Sequence, residues 1–186
     1  MISPARIVVM GVSGCGKSTL ARALAEALNY AYLEGDDLHP PANIAAMSQG
    51  RALNDAMRGP WLDAIAAAMT TQIAHGGGVV ASCSALKKAY RDRLSGHGPT
   101  IFLHLDLAPD QVRRRVASRP HHFMPLSLAD DQIRTLEPLA ETELGYTLDA
   151  TLAQDQLLKT AKMAILSGLW VSRPDGQTSL PSITQR

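Results

Sequence analysis

Gly11-Val12-Ser13-Gly14-Cys15-Gly16-Lys17-Ser18 fits G-x-x-x-x-G-K-[ST], the pattern of a phosphate-binding loop. Its flanks constrain the fold further. Arg6-Ile7-Val8-Val9-Met10 is a short β-branched run, the signature of a buried parallel strand. Lys17 to Leu28 places Leu20, Leu24 and Leu28 at helical spacing, with alanines between them. Strand, glycine-rich turn and helix together turn successive backbone N–H groups into one concavity, and the helix adds its positive end. Lys17 is expected to reach the β- and γ-phosphates, and the Ser18 hydroxyl to ligate Mg²⁺. Thr19, in the same first helical turn, completes the expected nucleotide contacts. The alternative, a glycine turn that binds nothing, leaves the matched flanks unexplained.

The rest of the chain repeats the alternation. Strands are expected at Ala31–Leu33, Val79–Cys83 and Thr100–Leu105, with a weaker one at Tyr146–Ala150. A short helix is expected from Ala42 to Ser48, and residues 51–59 read as irregular. Pro60 reads as the first residue of a helix whose buried stripe is Trp61, Ile65, Met69 and Ile73. Ser84 to Leu94 reads as a basic helix. Another starts at Pro109 with Val112 and Val116 inward, and is broken by Pro120. After the His121–Pro125 loop a helix runs to about Leu136, and Gln154–Leu166 is the last. Strands alternating with helices predict an α/β fold: a doubly wound, parallel, five-stranded sheet with right-handed crossovers. The expected organisation is one domain over residues 1–171, with an acceptor-side insertion at about 36–60, a lid at about 115–135 and a loose tail at 172–186.

Bulk properties narrow the function classes. The chain has 186 residues, enough for a sizeable core, and a net charge of +1, which offers no general nucleic-acid or membrane surface. No apolar run is long enough for a membrane span, and the chain leads directly into its first strand without a signal-peptide pattern. Two cysteines give no disulfide framework, so a cytoplasmic setting is expected.

Candidate chemistry clusters after the strands, where open α/β sheets hold ligands. Asp36, just past the second strand, is the candidate general base or substrate anchor, and Glu34 or Asp36 is expected to meet Mg²⁺ through water. A turn or cap carboxylate is the plainer alternative for Asp36. Lys87, with Arg58 and Arg91, is a candidate for an anionic acceptor; for Arg91 and Arg93 a solvated helix face is the competing reading. At roughly 100° per residue, Arg115 and Arg119 flank the Val112/Val116 stripe and are the candidates to neutralise transition-state charge, whereas Arg114 points to solvent. An exposed charge run is the alternative there. His121 and His122 lack partners at zinc spacing and read as a lid loop. The Cys15 thiolate is expected to be favoured by the helix N-terminus, with partial protection from alkylation by bound nucleotide.

Several longer stretches are more specific. Leu33-Glu-Gly-Asp-Asp-Leu-His-Pro40, Leu53-Asn-Asp55 with Arg58-Gly-Pro-Trp-Leu62, Cys83-Ser-Ala-Leu-Lys-Lys-Ala-Tyr-Arg-Asp92, His122-Phe-Met-Pro125 and Leu136-Glu137 with Glu141 resemble the gluconokinases over about residues 6–166. The chain departs from the family pattern at Cys15, Ala45-Ala46, Ala52 and Met57. The resemblance implies an adenylate- and shikimate-kinase-like fold, often a homodimer, that phosphorylates the terminal hydroxyl of the sugar acid D-gluconate with ATP and Mg²⁺. It adds His39 and Ser84 to the candidate acceptor contacts. Other kinases of this fold, acting on shikimate or a nucleoside monophosphate, leave the Cys-Ser-Ala-Leu-Lys-Lys stretch unexplained. A nucleotide-dependent switch remains a different class of reading, but no Asn-Lys-x-Asp signature is present.

Overall fold

A computed structural model describes residues 5–118 and 126–167. Five parallel strands form one sheet in the order β2-β3-β1-β4-β5: β1 Arg6–Met10, β2 Ala31–Glu34, β3 Val79–Ser82, β4 Thr100–Asp106 and β5 Gly145–Asp149. The central strand β1 registers Arg6 against both Val79 of β3 and Thr100 of β4. All its residues are buried, as a strand covered on both faces requires.

Alternation along β1 divides the core. Ile7 and Val9 face one side, where they meet Leu20, Leu24 and Leu28 of α1 (Lys17–Leu28) and Leu157 and Ile165 of α7 (Gln154–Leu166). Val8 and Met10 face the other, against Trp61, Leu62, Ile65 and Met69 of α3 (Asp55–Ala74) and Leu94 of α4 (Lys88–Ser95). The helix after β1 and the helix after β3 therefore lie on opposite faces of neighbouring strands. That divergence opens a crevice beyond their carboxyl ends, the position where doubly wound sheets bind ligands. Three further helices complete the described fold: α2 (Pro41–Ser48), α5 (Pro109–Ala117) and α6 (Leu126–Thr135).

Two elements differ from the sequence expectation. Helix α3 begins at Asp55, five residues before Pro60, because the Asn54 side chain accepts a hydrogen bond from the Met57 N–H at 2.9 Å and caps the helix there. Pro60 lies inside the helix, exposed, and withholds one donor from the ladder. The helix expected from Ser84 begins instead at Lys88. Ala85 takes a left-handed φ of 43°, and the Ala85 and Leu86 carbonyls accept from Arg91 rather than from a helical ladder. Arg119, the His121–Pro125 loop and the tail at 172–186 lie outside the described residues.

Candidate active site

The phosphate-binding loop joins β1 to α1. Gly11 has φ +135°, and a Cβ there would lie 2.9 Å from both Cys15 Sγ and the Leu105 carbonyl oxygen, so only glycine fits the turn. Lys17 Nζ donates to the Val12 carbonyl at 3.0 Å, which folds the ammonium back over the loop. Ser18 and exposed Thr19 lie in the first turn of α1. Helix α5 rests on the loop: a Cβ at Gly14 would lie 3.8 Å from Arg115 Cβ. Arg115 is half-buried and donates to the Ala150 carbonyl at 2.9 Å, whereas Arg114 is exposed, as helix phase predicts.

At the end of β2, Glu34 collects hydrogen bonds. The Tyr32 hydroxyl donates at 2.5 Å and the Ser82 hydroxyl also donates to its carboxylate; Ser18 makes a further side-chain bond. Burial pushes the Glu34 carboxyl up, but the bonds from Ser82, Tyr32, Ser18 and the Asp36 N–H prevail and hold it below its ordinary value. A charged carboxylate beside the loop hydroxyl is a hard-oxygen donor set. It fits an ion such as Mg²⁺, which keeps several waters and is held mainly by phosphates.

The acceptor side is built on a 3-10 turn, Gly35–Leu38, followed by α2 and the start of α3. Trp61 Nε1 donates to the Gly35 carbonyl at 2.7 Å, and the His39 ring stacks on Trp61 with centroids 4.2 Å apart. Asn43 Nδ2 donates to the Met57 carbonyl at 3.0 Å, tying α2 to α3. Asp36 is exposed on this platform, 3.9 Å from His39 Nε2. Burial lowers the His39 pKa, with Asp36 opposing and Arg58 reinforcing the effect, so the ring is neutral at pH 7.

One cavity of about 340 Å³ joins the two halves. Ser13 and Lys17 of the loop line it together with Asp36, His39, Arg58 and Ser84. The buried Arg58 donates from Nε to the Leu53 carbonyl at 3.2 Å, and its guanidinium lies 5.5 Å from the Tyr90 ring centroid. Arg58 and Lys87 also line an adjoining, more open cavity of about 610 Å³. Lys87 is not unengaged: Asp55 accepts from it at 2.8 and 2.9 Å, and the Tyr90 hydroxyl bonds the same carboxylate.

Arg91 is corrected outright. It is neither a solvated helix residue nor an acceptor contact, but a fully buried hub. Its guanidinium pairs with Glu143 at 2.6 and 2.9 Å and donates to the carbonyls of Ala85, Leu86, Glu137 and Pro138. Cys15 is corrected too. It is 1% exposed, and burial pushes its thiol up despite Lys17, the opposite of an activated thiolate.

Sequence reasoning missed Gln132, whose Oε1 accepts from the Ser13 N–H at 2.7 Å, and Asp55 as the partner of Lys87. It also missed the support for Glu34. Tyr32 and Glu34 are two apart on one strand, hence on the same face, a signal the sequence carries.

The shikimate kinase family profile matches residues 13–164. A gluconokinase from Gluconobacter oxydans is 45% identical over 143 residues, covering 76% of this chain and 80% of that protein. The thermosensitive gluconokinase of Escherichia coli K12 is 35% identical over 162 residues, covering 86% and 87%. Among solved structures, a gluconokinase from Sinorhizobium meliloti superposes with a TM-score of 0.81 at 39% identity, covering 90% of this chain and 94% of that one.

Proposed function

Because this chain belongs to the gluconokinases and carries a shikimate kinase family domain, we propose that it transfers the γ-phosphoryl group of ATP to the terminal hydroxyl of D-gluconate, yielding 6-phospho-D-gluconate. The observation that carries this reading is the shared cavity. Ser13 and Lys17 meet Asp36, His39 and Arg58 around one space, so a phosphoryl donor and a polyhydroxy acid can be held end to end.

Each side chain has a distinct task. The loop N–H groups and Lys17 hold the phosphates, and Arg115, resting on the loop, adds charge as the phosphoryl group transfers. Asp36 receives the acceptor proton or fixes the hydroxyl for in-line attack. Arg58 and Lys87 hold the carboxylate at the far end, with His39, Ser84 and the Trp61 platform setting the length of the pocket. Ser18 and, through water, Glu34 or Asp36 would hold Mg²⁺, which screens the phosphate charge when bound.

The test compares gluconate with glucose, sorbitol and shikimate as acceptors in ATP turnover by the native protein and by Lys17→Ala. The expected result is preference for gluconate and loss of turnover in a folded Lys17→Ala protein. Equal use of the neutral sugars, or near-normal activity without Lys17, would overturn the reading.

A further inference from the structure

The Ser13 N–H lies at the start of the phosphate-binding loop, and it is engaged by a side chain 119 residues away. Gln132 sits in α6, one turn before Leu136, whose N–H donates to the Gln132 carbonyl at 3.0 Å. Just beyond, the chain is fixed: the Glu137 N–H donates to the Leu86 carbonyl at 2.8 Å, and Arg91 grips the Glu137 and Pro138 carbonyls. From that anchored base the Gln132 carboxamide reaches into the shared cavity and brings Oε1 to 2.7 Å from Ser13 N.

Within the loop, Ser13 and Lys17 border the cavity that also holds Asp36 and Arg58. The phosphate nearest the acceptor is the γ-phosphate. A γ-phosphoryl group reaching the Ser13 donor would meet the Gln132 oxygen already in that place. One N–H has one hydrogen, so carboxamide and γ-phosphoryl compete for it. ADP has no γ-phosphate and leaves the contact intact.

We propose that Gln132 is a specificity-determining residue that distinguishes ATP from ADP. Its carboxamide closes on Ser13 in the free and ADP-bound protein and yields only to a γ-phosphoryl oxygen. After transfer the contact re-forms over the emptied γ-position and favours discharge of product. This rests on the loop binding ATP as proposed above.

The experiment measures dissociation constants for Mg·ATP and Mg·ADP by calorimetry on the full chain without acceptor, for the native protein, Gln132→Ala and Gln132→Glu. A hydrogen bond of ordinary net strength predicts that Gln132→Ala tightens ATP roughly two- to ten-fold and leaves ADP unchanged. Gln132→Glu keeps the shape and adds a negative charge at the γ-position, so it should weaken ATP more than ADP. The two variants thus move the ATP-to-ADP affinity ratio in opposite directions. A purely structural residue would shift both nucleotides together; an unchanged ratio in both variants would overturn the proposal. Failure of the native protein to bind either nucleotide would instead overturn the reading of the loop.

Discussion

Arg91 and Glu143 form a buried ion pair, Nε to Oε1 2.6 Å, between residues 52 apart in the chain. Both side chains are almost wholly withdrawn from solvent, at 0% and 7% exposure. The pair fixes the segment after β3 to the segment after α6, which brings the basic Lys87 region and the base of α6 into one frame. Replacing one partner strands the other charge in the interior, so Arg91→Met should cost about 3–5 kcal/mol of stability. Denaturant unfolding checks this; a variant as stable as the native protein would show that the buried pair adds nothing to stability.

Arg115→Ala should lower kcat by orders of magnitude, whereas Arg114→Ala should leave it nearly unchanged. Arg115 rests on the phosphate loop, and Arg114 faces solvent from the same helix. Steady-state turnover of the two variants decides it, and greater damage from Arg114→Ala would show that α5 presents a different face to ATP.

Arg58→Met and Lys87→Met should each raise KM for gluconate roughly ten-fold, the loss expected when a charge-assisted hydrogen bond to a carboxylate is removed. Asp36→Asn should act on kcat instead, since the role proposed for Asp36 is in the transition state. For Lys87 the native contact with Asp55 predicts a second effect: Asp55→Asn releases the ammonium and should also alter KM. Unchanged KM in both basic-residue variants, Arg58→Met and Lys87→Met, would move the carboxylate elsewhere in the cavity.

Both thiols should resist alkylation in the native protein at neutral pH. Burial raises the Cys15 thiol and pushes Cys83 up to about 12, and each residue is 1% exposed. Labelling with an aromatic disulfide should be slow with or without nucleotide and fast only in denaturant. Rapid native labelling that Mg·ATP suppresses would restore an exposed, activated Cys15.

His39 should make stability fall in mild acid. Its pKa in the fold lies below the ordinary 6.5, so the unfolded chain binds the proton more tightly. The contribution is complete above pH 6.5 and declines as pH falls from there toward the lower folded value. Unfolding free energies at pH 7.5 and 5.5 should differ less in His39→Gln than in the native protein; an equal difference would place the acid sensitivity elsewhere.

The central strands β1 and β3 were legible because they are β-branched, largely apolar runs, and the placement of Arg115 followed from helical phase alone. Both signals are local. Pro60 misled because proline usually starts helices, whereas here the Asn54 side chain had already supplied the cap. Arg91 misled because its partner lies 52 residues away, and no spacing rule links a basic run to one glutamate in a distant loop. Gln132 left no trace at all: a neutral side chain in a polar helix acquires meaning only when folding brings it to Ser13. For Arg91 and Gln132 distance in sequence set the limit, whereas the Asn54 cap and the Tyr32–Glu34 pair were local signals left unread.

Gly35 carries a last consequence. A Cβ on it would stand 2.2 Å from the Ser82 carbonyl oxygen, and 3.2 Å from Ile65 Cδ1. The gap between the ends of β2 and β3 is thus set by bare main chain, with no side chain to act as a spacer. Asp36 is the next residue, so the reach of the acceptor carboxylate toward the phosphate loop is gauged by that contact. In an evolving lineage, pocket walls such as Ala52 and Met47 can change and retune which acid is accepted. Position 35 cannot, because any wider residue would displace Asp36, the proposed base, relative to the phosphate loop for every acceptor at once.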